Sequence, residues 1–309
     1  MKLLRAVVIA SYFVIATLPL AWLALTSIKT YDDTISAHAK FVPLAQQASG
    51  SRHEPAADST VNAAGNSEAS SEATSVRFTP TLDAYHNLSR PVAGTPSNFY
   101  HYLGNSIIIG VLSTLAAVCL GTICAYGFSR FKIPGSKDWL FFILSTRFLP
   151  PLAVVVPVLV MYRWFALENT HVGLILLYTS FNLSLAVWLM KGFVDEIPRA
   201  FEEAALVDGY SRLRTFVMVI VPQAATGMAV TGVFCLISSW NEFGFAMTLN
   251  NTEAKTVPVY FAGLQGNIEG VPWPQIAAGM MIFVAPIVVF TVLVRRHLLR
   301  GVTFGTIKQ

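Results

Sequence analysis

Asp195-Glu196-Ile197-Pro198-Arg199-Ala200-Phe201-Glu202-Glu203-Ala204-Ala205-Leu206-Val207-Asp208-Gly209 lies between two long apolar runs, residues 172–190 and 224–249. Pro198 suits the first turn of a helix, where its missing N–H is not needed. Gly209 suits the left-handed position that ends one, so the spacing predicts a helix of about ten residues. Phe201, Ala204 and Ala205 fall at i, i+3 and i+4, which puts one large knob and two small residues on a shared face. Ser211 suits the cap of a second helix running through Phe216, until Pro222 marks entry into the next apolar run.

Outward from this loop the chain is strongly apolar. Of its 309 residues 54% are hydrophobic and 12% charged, whereas a soluble domain carries about a quarter charged residues. So few charges do not cover a water-soluble particle of this size. The apolar excess falls in six runs, 6–28, 103–128, 139–162, 172–190, 224–249 and 276–294. Each is near or above the ~20 residues that cross a ~30 Å hydrocarbon layer as a helix. None alternates as the strand of a barrel does. The expected fold is therefore an all-α membrane protein with six transmembrane helices. It divides into a first helix (1–30), an extracytoplasmic loop (31–100) and a five-helix core (101–309) that carries the loop 192–222.

Placement of Lys and Arg sets the orientation. With both termini inside, the cytosolic segments hold 13 of the 21 basic residues, while the two short outer loops hold only Arg163 and Lys255. The net charge of +4 contains no like-charge block of the kind that binds nucleic acid. Ala37-His38-Ala39 resembles a signal-peptide cleavage site, but the run before it exceeds the h-region of such a peptide. Between residues 46 and 75 the outer loop is Ser-, Ala-, Gly-, Asn- and Glu-rich, with Val61 its only large aliphatic residue, and reads as a disordered insert. Residues 79–88 regain apolar character and are expected to pack near the membrane. Cys119, Cys124 and Cys235 sit in apolar runs without ligand spacing and read as small core residues. The outer-loop histidines His38, His53, His86 and His101 carry no metal-site spacing.

A short helix carrying a knob together with Glu202, Glu203 and Asp208 suits a protein groove better than an anionic lipid surface. Glu203-Ala204-Ala205, then Asp208-Gly209, then Ile220 and Pro222, resembles the EAA loop of ABC importer permeases. Leu149-Pro150-Pro151, Trp240-Asn241-Glu242-Phe243 and Arg300-Gly301-Val302-Thr303 extend the resemblance to the carbohydrate-importer branch of the maltose-permease type. The resemblance covers residues 3–34 and 79–309, and the long insert departs from it. It implies a coupling helix seated in a cytosolic ABC ATPase, with Phe201, Glu202, Glu203, Ala204, Ala205, Asp208 and Gly209 at or near the contact. It also implies a second permease subunit, two ATPase copies, an extracytoplasmic solute-binding protein and a sugar or polyol substrate, in a bacterial inner membrane. The chain has no GxxxxGK[ST] loop of its own, so ATP and Mg belong to the partner ATPase.

Within the crossings, Arg147 lies ~12 Å into the third run, where a charge needs a cavity or a partner. It either faces the translocation pathway or snorkels to the cytosolic interface. Asn182, ~15 Å into the fourth run, is an interhelical hydrogen-bonding residue or a substrate ligand. Trp240 reads as an interfacial anchor or, with Asn241 and Glu242, as part of an outer gate. Glu242 and Arg147 differ in expected depth and are not expected to pair. A channel or secondary carrier independent of ATP is the alternative function, but it calls for ionisable relays or matched broken helices within the crossings. An intramembrane enzyme finds no Ser/His or paired-Asp constellation there.

Overall fold

The computed structural model describes residues 2–36, 42–43, 77–90, 98–250, 252, 254–264 and 270–303. The expected disordered insert and the Ala37-His38-Ala39 site lie outside them. The elements are α1 (Lys2–Ser27), α2 (Tyr31–Ile35), a two-residue parallel pair of β1 (Val42–Pro43) with β2 (Arg77–Phe78), α3 (Asp83–Asn87), α4 (Phe99–Arg130), α5 (Ser136–Ser145), α6 (Pro151–Trp164), α7 (His171–Asp195), α8 (Ala200–Val207), α9 (Arg212–Thr215), α10 (Val221–Trp240), α11 (Gly244–Leu249), α12 (Val257–Leu264) and α13 (Trp273–Thr303). Apart from the short β pair, the described residues are helical or irregular.

Two compact units divide the chain, Met1–Phe99 with Gly263–Ile282, and Tyr100–Ala262 with Phe283–Gln309. In the first, α1 presents exposed Leu4, Ile9, Phe13, Ile15 and Leu18, a surface suited to hydrocarbon. Its C-terminal end holds the 79–88 segment. The Thr81 N–H donates to the Ile28 carbonyl at 2.8 Å, Ser27 Oγ and Tyr85 OH lie 2.9 Å apart, and Ala84 and Leu88 are buried.

In the second unit α7 and α10 are the main helix pair, and α4 joins them through the cluster Ala117, Val118, Ala186 and Cys235. Small residues set the distances between these helices. A Cβ added at Gly121 on α4 would meet Ala186 Cβ of α7 at 2.6 Å and the Ala186 carbonyl carbon at 3.0 Å. Gly110 likewise receives the Trp240 ring, whose nearest carbon would lie 3.3 Å from an added Cβ. Where apolar tails leave no hydrophobic drive between helices, such close approach and polar bonds hold the bundle together. Ser239 Oγ of α10 accepts from Asn182 Nδ2 of α7 at 2.8 Å and lies 3.2 Å from Ser113 Oγ of α4.

Among the described residues five helices are long and apolar enough to cross a membrane: Leu4–Ser27, Phe99–Arg130, His171–Asp195, Arg212–Trp240 and Trp273–Arg295. The expected third crossing differs from a single span. Ser136–Phe148 and Ala153–Trp164 meet at 93°, and only if this bent pair is one span does the count reach six. Two prolines cause the break. Pro150 forces the residue before it out of the helical region, and Leu149 has ψ 124°. Pro150 is itself extended before Pro151, and Pro151 opens α6 where no N–H is required.

The expected fifth run is shifted too. Its helix starts at Arg212, passes through a π-helical stretch at Phe216–Ile220 ahead of Pro222, and stops at Trp240 rather than reaching 249. A missing proline donor is absorbed by such local rewinding. Beyond Trp240 the chain breaks and restarts as α11.

Gly121→Val should overpack the α4–α7 contact and destabilise the protein by about 1–3 kcal/mol. Gly104→Ala, with nothing within 4 Å of its added Cβ, should be neutral or slightly stabilising. Thermal unfolding of the two variants in detergent checks both.

Candidate coupling face and membrane cavity

The loop helix α8 forms where Pro198 and Gly209 predict it, over eight residues. Its start is set by the Arg199 carbonyl, which accepts from the N–H groups of Glu202 and Glu203 at 2.9 and 3.0 Å. Its end is a Schellman turn. Tyr210 N–H donates to the Ala205 carbonyl at 3.0 Å and Gly209 N–H to that of Leu206 at 3.1 Å. Gly209 has φ +87° with nothing within 4 Å of an added Cβ, so glycine is needed for its backbone and not for space. Ser211 caps α9 as expected, its Oγ accepting from Arg214 N–H at 3.3 Å.

The faces of α8 differ from the sequence expectation. Ala205 is buried against the chain's own bundle and does not share a free face with Phe201 and Ala204. Glu202 is buried as well. The outward face is Ala200, Glu203, Ala204 and Val207, an i, i+3, i+4, i+7 set, with Val207 87% exposed. Phe201, 52% exposed, and Asp208 flank it.

Glu202 is held inside the molecule. Arg130, in the last turn of α4, forms an ion pair with it through Nε, and the two side chains are 7% and 11% exposed. Tyr126 OH donates to the other carboxylate oxygen at 3.2 Å. Arg130 Nη2 donates to the Ile197 carbonyl at 2.8 Å, and Arg199 Nη2 to the Ser129 carbonyl at 3.1 Å. Ser129 Oγ donates to Asp195 at 2.6 Å, and Asp195 also pairs with Lys191 at 2.5 Å. Beneath these bonds Ala125, Met190, Ile197, Ile220 and Ala224 form an apolar cluster. The end of α4 thus fixes α8 and its approach, and is itself bonded to the end of α7. In the sequence Arg130 carried only a topological signal, and nothing in the spacing tied it to Glu202, 72 residues away.

A cavity of about 190 Å³ lies in the second unit, lined by Arg147, Leu149, Pro151, Tyr178, Phe181, Asn182, Ser238, Ser239, Glu242 and Phe245. Arg147 turns into it, donating to the Phe181 carbonyl at 3.2 Å and to Ser238 Oγ at 3.3 Å. Asn182 bonds Ser239 as described, but its buried Oδ1 has no partner among the described residues. Glu242 accepts from Tyr178 OH at 2.6 Å and from the N–H groups of Phe245 and Ala246 at 2.9 and 3.1 Å. Its carboxylate therefore opens α11 and allows the chain to break after Trp240.

Arg147 and Glu242 line one cavity although their sequence depths differ, because the bend at residues 149–150 defeats counting along a straight helix. Among the described residues they form no ion pair. Trp240 and Asn241 are not brought to the cavity. Trp240 is 3% exposed, stacked on Phe283 at 4.9 Å, with its Nε1 donating to the Phe283 carbonyl at 3.2 Å. That is a packing role rather than an interfacial anchor. Asn241 is exposed and donates to the Ile237 carbonyl at 2.9 Å. Tyr178, Phe181 and Ser238 are lining residues that the sequence reading did not single out.

Removing one partner of a buried ion pair strands the other, at about 3–5 kcal/mol. Glu202→Ala should therefore lower thermal stability strongly, while Glu203→Ala, exposed one residue later, should change it by less than about 0.5 kcal/mol. Unfolding of the two variants in detergent separates them.

Residues 117–304 match the family described as binding-protein-dependent transport system inner membrane component. The trehalose transport system permease protein SugB of Mycobacterium tuberculosis is 35% identical over 232 residues, covering 74% of this chain and 83% of that relative. The trehalose/maltose transport system permease protein MalG of Thermococcus litoralis is 31% identical over 235 residues, covering 75% and 83%. Among solved structures, a bacterial ABC transporter involved in the import of the acidic polysaccharide alginate contains a chain of the same fold. Its TM-score is 0.68 at 19% identity, over 96% of this chain and 95% of that one. A bacterial alginate ABC transporter in complex with an alginate pentasaccharide-bound periplasmic protein gives 0.55 at 16% identity, over 69% and 81%. With its several apolar helices, this is a multi-pass inner-membrane protein. The chain belongs to the family of binding-protein-dependent transport system inner membrane components.

Proposed function

We propose that this chain is the permease subunit of an ATP-driven ABC importer for a sugar or polyol. Six crossings, with the bent pair as the third, place both termini and α8 in the cytosol. The outward face of α8 seats in a groove of a separate ABC ATPase, which binds ATP and Mg. Two ATPase copies, a second permease subunit and an extracytoplasmic solute-binding protein complete the transporter. The observation that carries this reading is α8 itself. It is a short helix with an outward face of two alanines, Glu203 and Val207, tied to the bundle on its other side by buried bonds. An apolar, acidic helix held this way fits a protein groove. Sugar import is supported by the relatives SugB and MalG, whose names specify trehalose and maltose transport.

In this scheme ATP-driven closure of the ATPase moves α8 as a rigid body and biases the bundle between inward-open and outward-open states. The cavity beside Arg147 belongs to the substrate path, where Arg147 and Ser238 donate to sugar hydroxyls and Asn182 Oδ1 accepts. The alternative of a channel or carrier working without ATP gives α8 no role.

Glu203→Lys and Gly209→Pro should each abolish co-purification with the ATPase, since the first places a cation in the contact and the second cannot adopt φ +87°. Retention of the ATPase by both variants would contradict the docking reading. Arg147→Met should lower uptake of the cognate sugar about tenfold or more, the equivalent of ~1.4 kcal/mol. Unchanged uptake would remove Arg147 from the path.

A further inference from the structure

The outward face of α8 explains how a partner is met, but not how its motion enters the membrane. A loop joined only by flexible chain would move without moving the crossings. Here the two sides of α8 do different things. On the inner side Glu202 is enclosed with Arg130 of α4, and Tyr126 of the same helix bonds its second carboxylate oxygen. Arg130 also reaches back to the Ile197 carbonyl ahead of α8, so one guanidinium holds both the approach to the helix and its first turn. A buried ion pair is a poor choice if stability is the only need, since apolar residues of similar volume serve as well or better. What a planar guanidinium adds is a fixed orientation between two elements.

We propose that Arg130 is a positioning residue for coupling: its bonds to Glu202 and the Ile197 carbonyl make α4 the helix that moves with α8. Residues 100–130 of α4 belong to the bundle unit and run past Ser113, which meets Ser239 and through it Asn182 at the cavity. A displacement of α8 that carries α4 with it thus reaches the cavity wall through hydrogen-bonded side chains. This inference rests on the reading of α8 as the ATPase-docking helix.

The test compares the intact pair with Arg130→Met/Glu202→Leu, which replaces the bonds by apolar packing. The full transporter is purified with its ATPase from a Cys119→Ser/Cys235→Ala background. Spin labels are placed on exposed Cys124 of α4 and on Leu206→Cys of α8, and their separation is measured without nucleotide and with ATP and orthovanadate. With the pair intact, the separation should change by less than about 2 Å between the two states. In the double variant it should change by about 5 Å, roughly a helical turn, or its distribution should at least double in width.

A double variant whose separation stays fixed and narrow overturns the inference, as does an intact pair whose separation shifts by about a turn. If the double variant does not assemble, Arg130→Lys decides, because it keeps the charge and loses the simultaneous bond to Ile197. Its distribution should broaden, and an unbroadened one counts against the proposal. Failure of the underlying docking reading looks different: the ATPase would then remain bound to chains altered on the outward face, such as Val207→Lys, whatever the label separation.

Discussion

Polar groups shut among apolar helices must find partners within the protein, and this constraint shapes several departures from a simple bundle of rods. Glu242 is the clearest case. A chain that stops being helical after Trp240 leaves the N–H groups of the next helix exposed, and the Glu242 carboxylate takes those of Phe245 and Ala246 while Tyr178 completes its shell. Asn182 meets the same demand across helices, joining α7 to α10 through Ser239. Its Oδ1, without a partner among the described residues, and the outstretched Arg147 are two of the places where the demand is not fully met. They line one cavity, where the proposed sugar would meet both a donor and an acceptor.

The same constraint divides the labour on α8. Carboxylates at adjacent positions, Glu202 and Glu203, have opposite fates because a helix turns 100° per residue. One is enclosed with Arg130, and the other stands in the open beside Ala204 and Val207. A helix fixed on one side and free on the other passes on force without absorbing it as local rearrangement. That is the mechanical requirement which the proposed docking of α8 on a separate ATPase sets.

Much of this was legible in the sequence. Local rules placed α8 between Pro198 and Gly209 and capped α9 with Ser211, because proline chemistry, a left-handed glycine and a serine cap act over a few residues. The resemblance carried by Glu203-Ala204-Ala205 and Gly209 agrees with the family assignment. Other features escaped for the same physical reason, since they depend on contacts distant in sequence. Which side of α8 faces inward is set by Arg130, so Ala205 and Glu202 could not be told from Ala204 and Glu203. The consecutive prolines signalled a bend but not its 93° size, so depth counted along a straight helix separated Arg147 from Glu242. Trp240 drew attention as a large aromatic near a membrane edge, yet its burial depends on Gly110 and Phe283, which only the packing brings to it.

Photo-crosslinking in intact cells reports whether the outward face of α8 seats in an ATPase. A photoreactive phenylalanine analogue is incorporated at Val207, exposed on that face, or at Leu213, 75% exposed on the following helix. A seated α8 gives an adduct with an ABC ATPase from position 207 that far exceeds the adduct from 213. No ATPase adduct from Val207, or equal adducts from both positions, would contradict it.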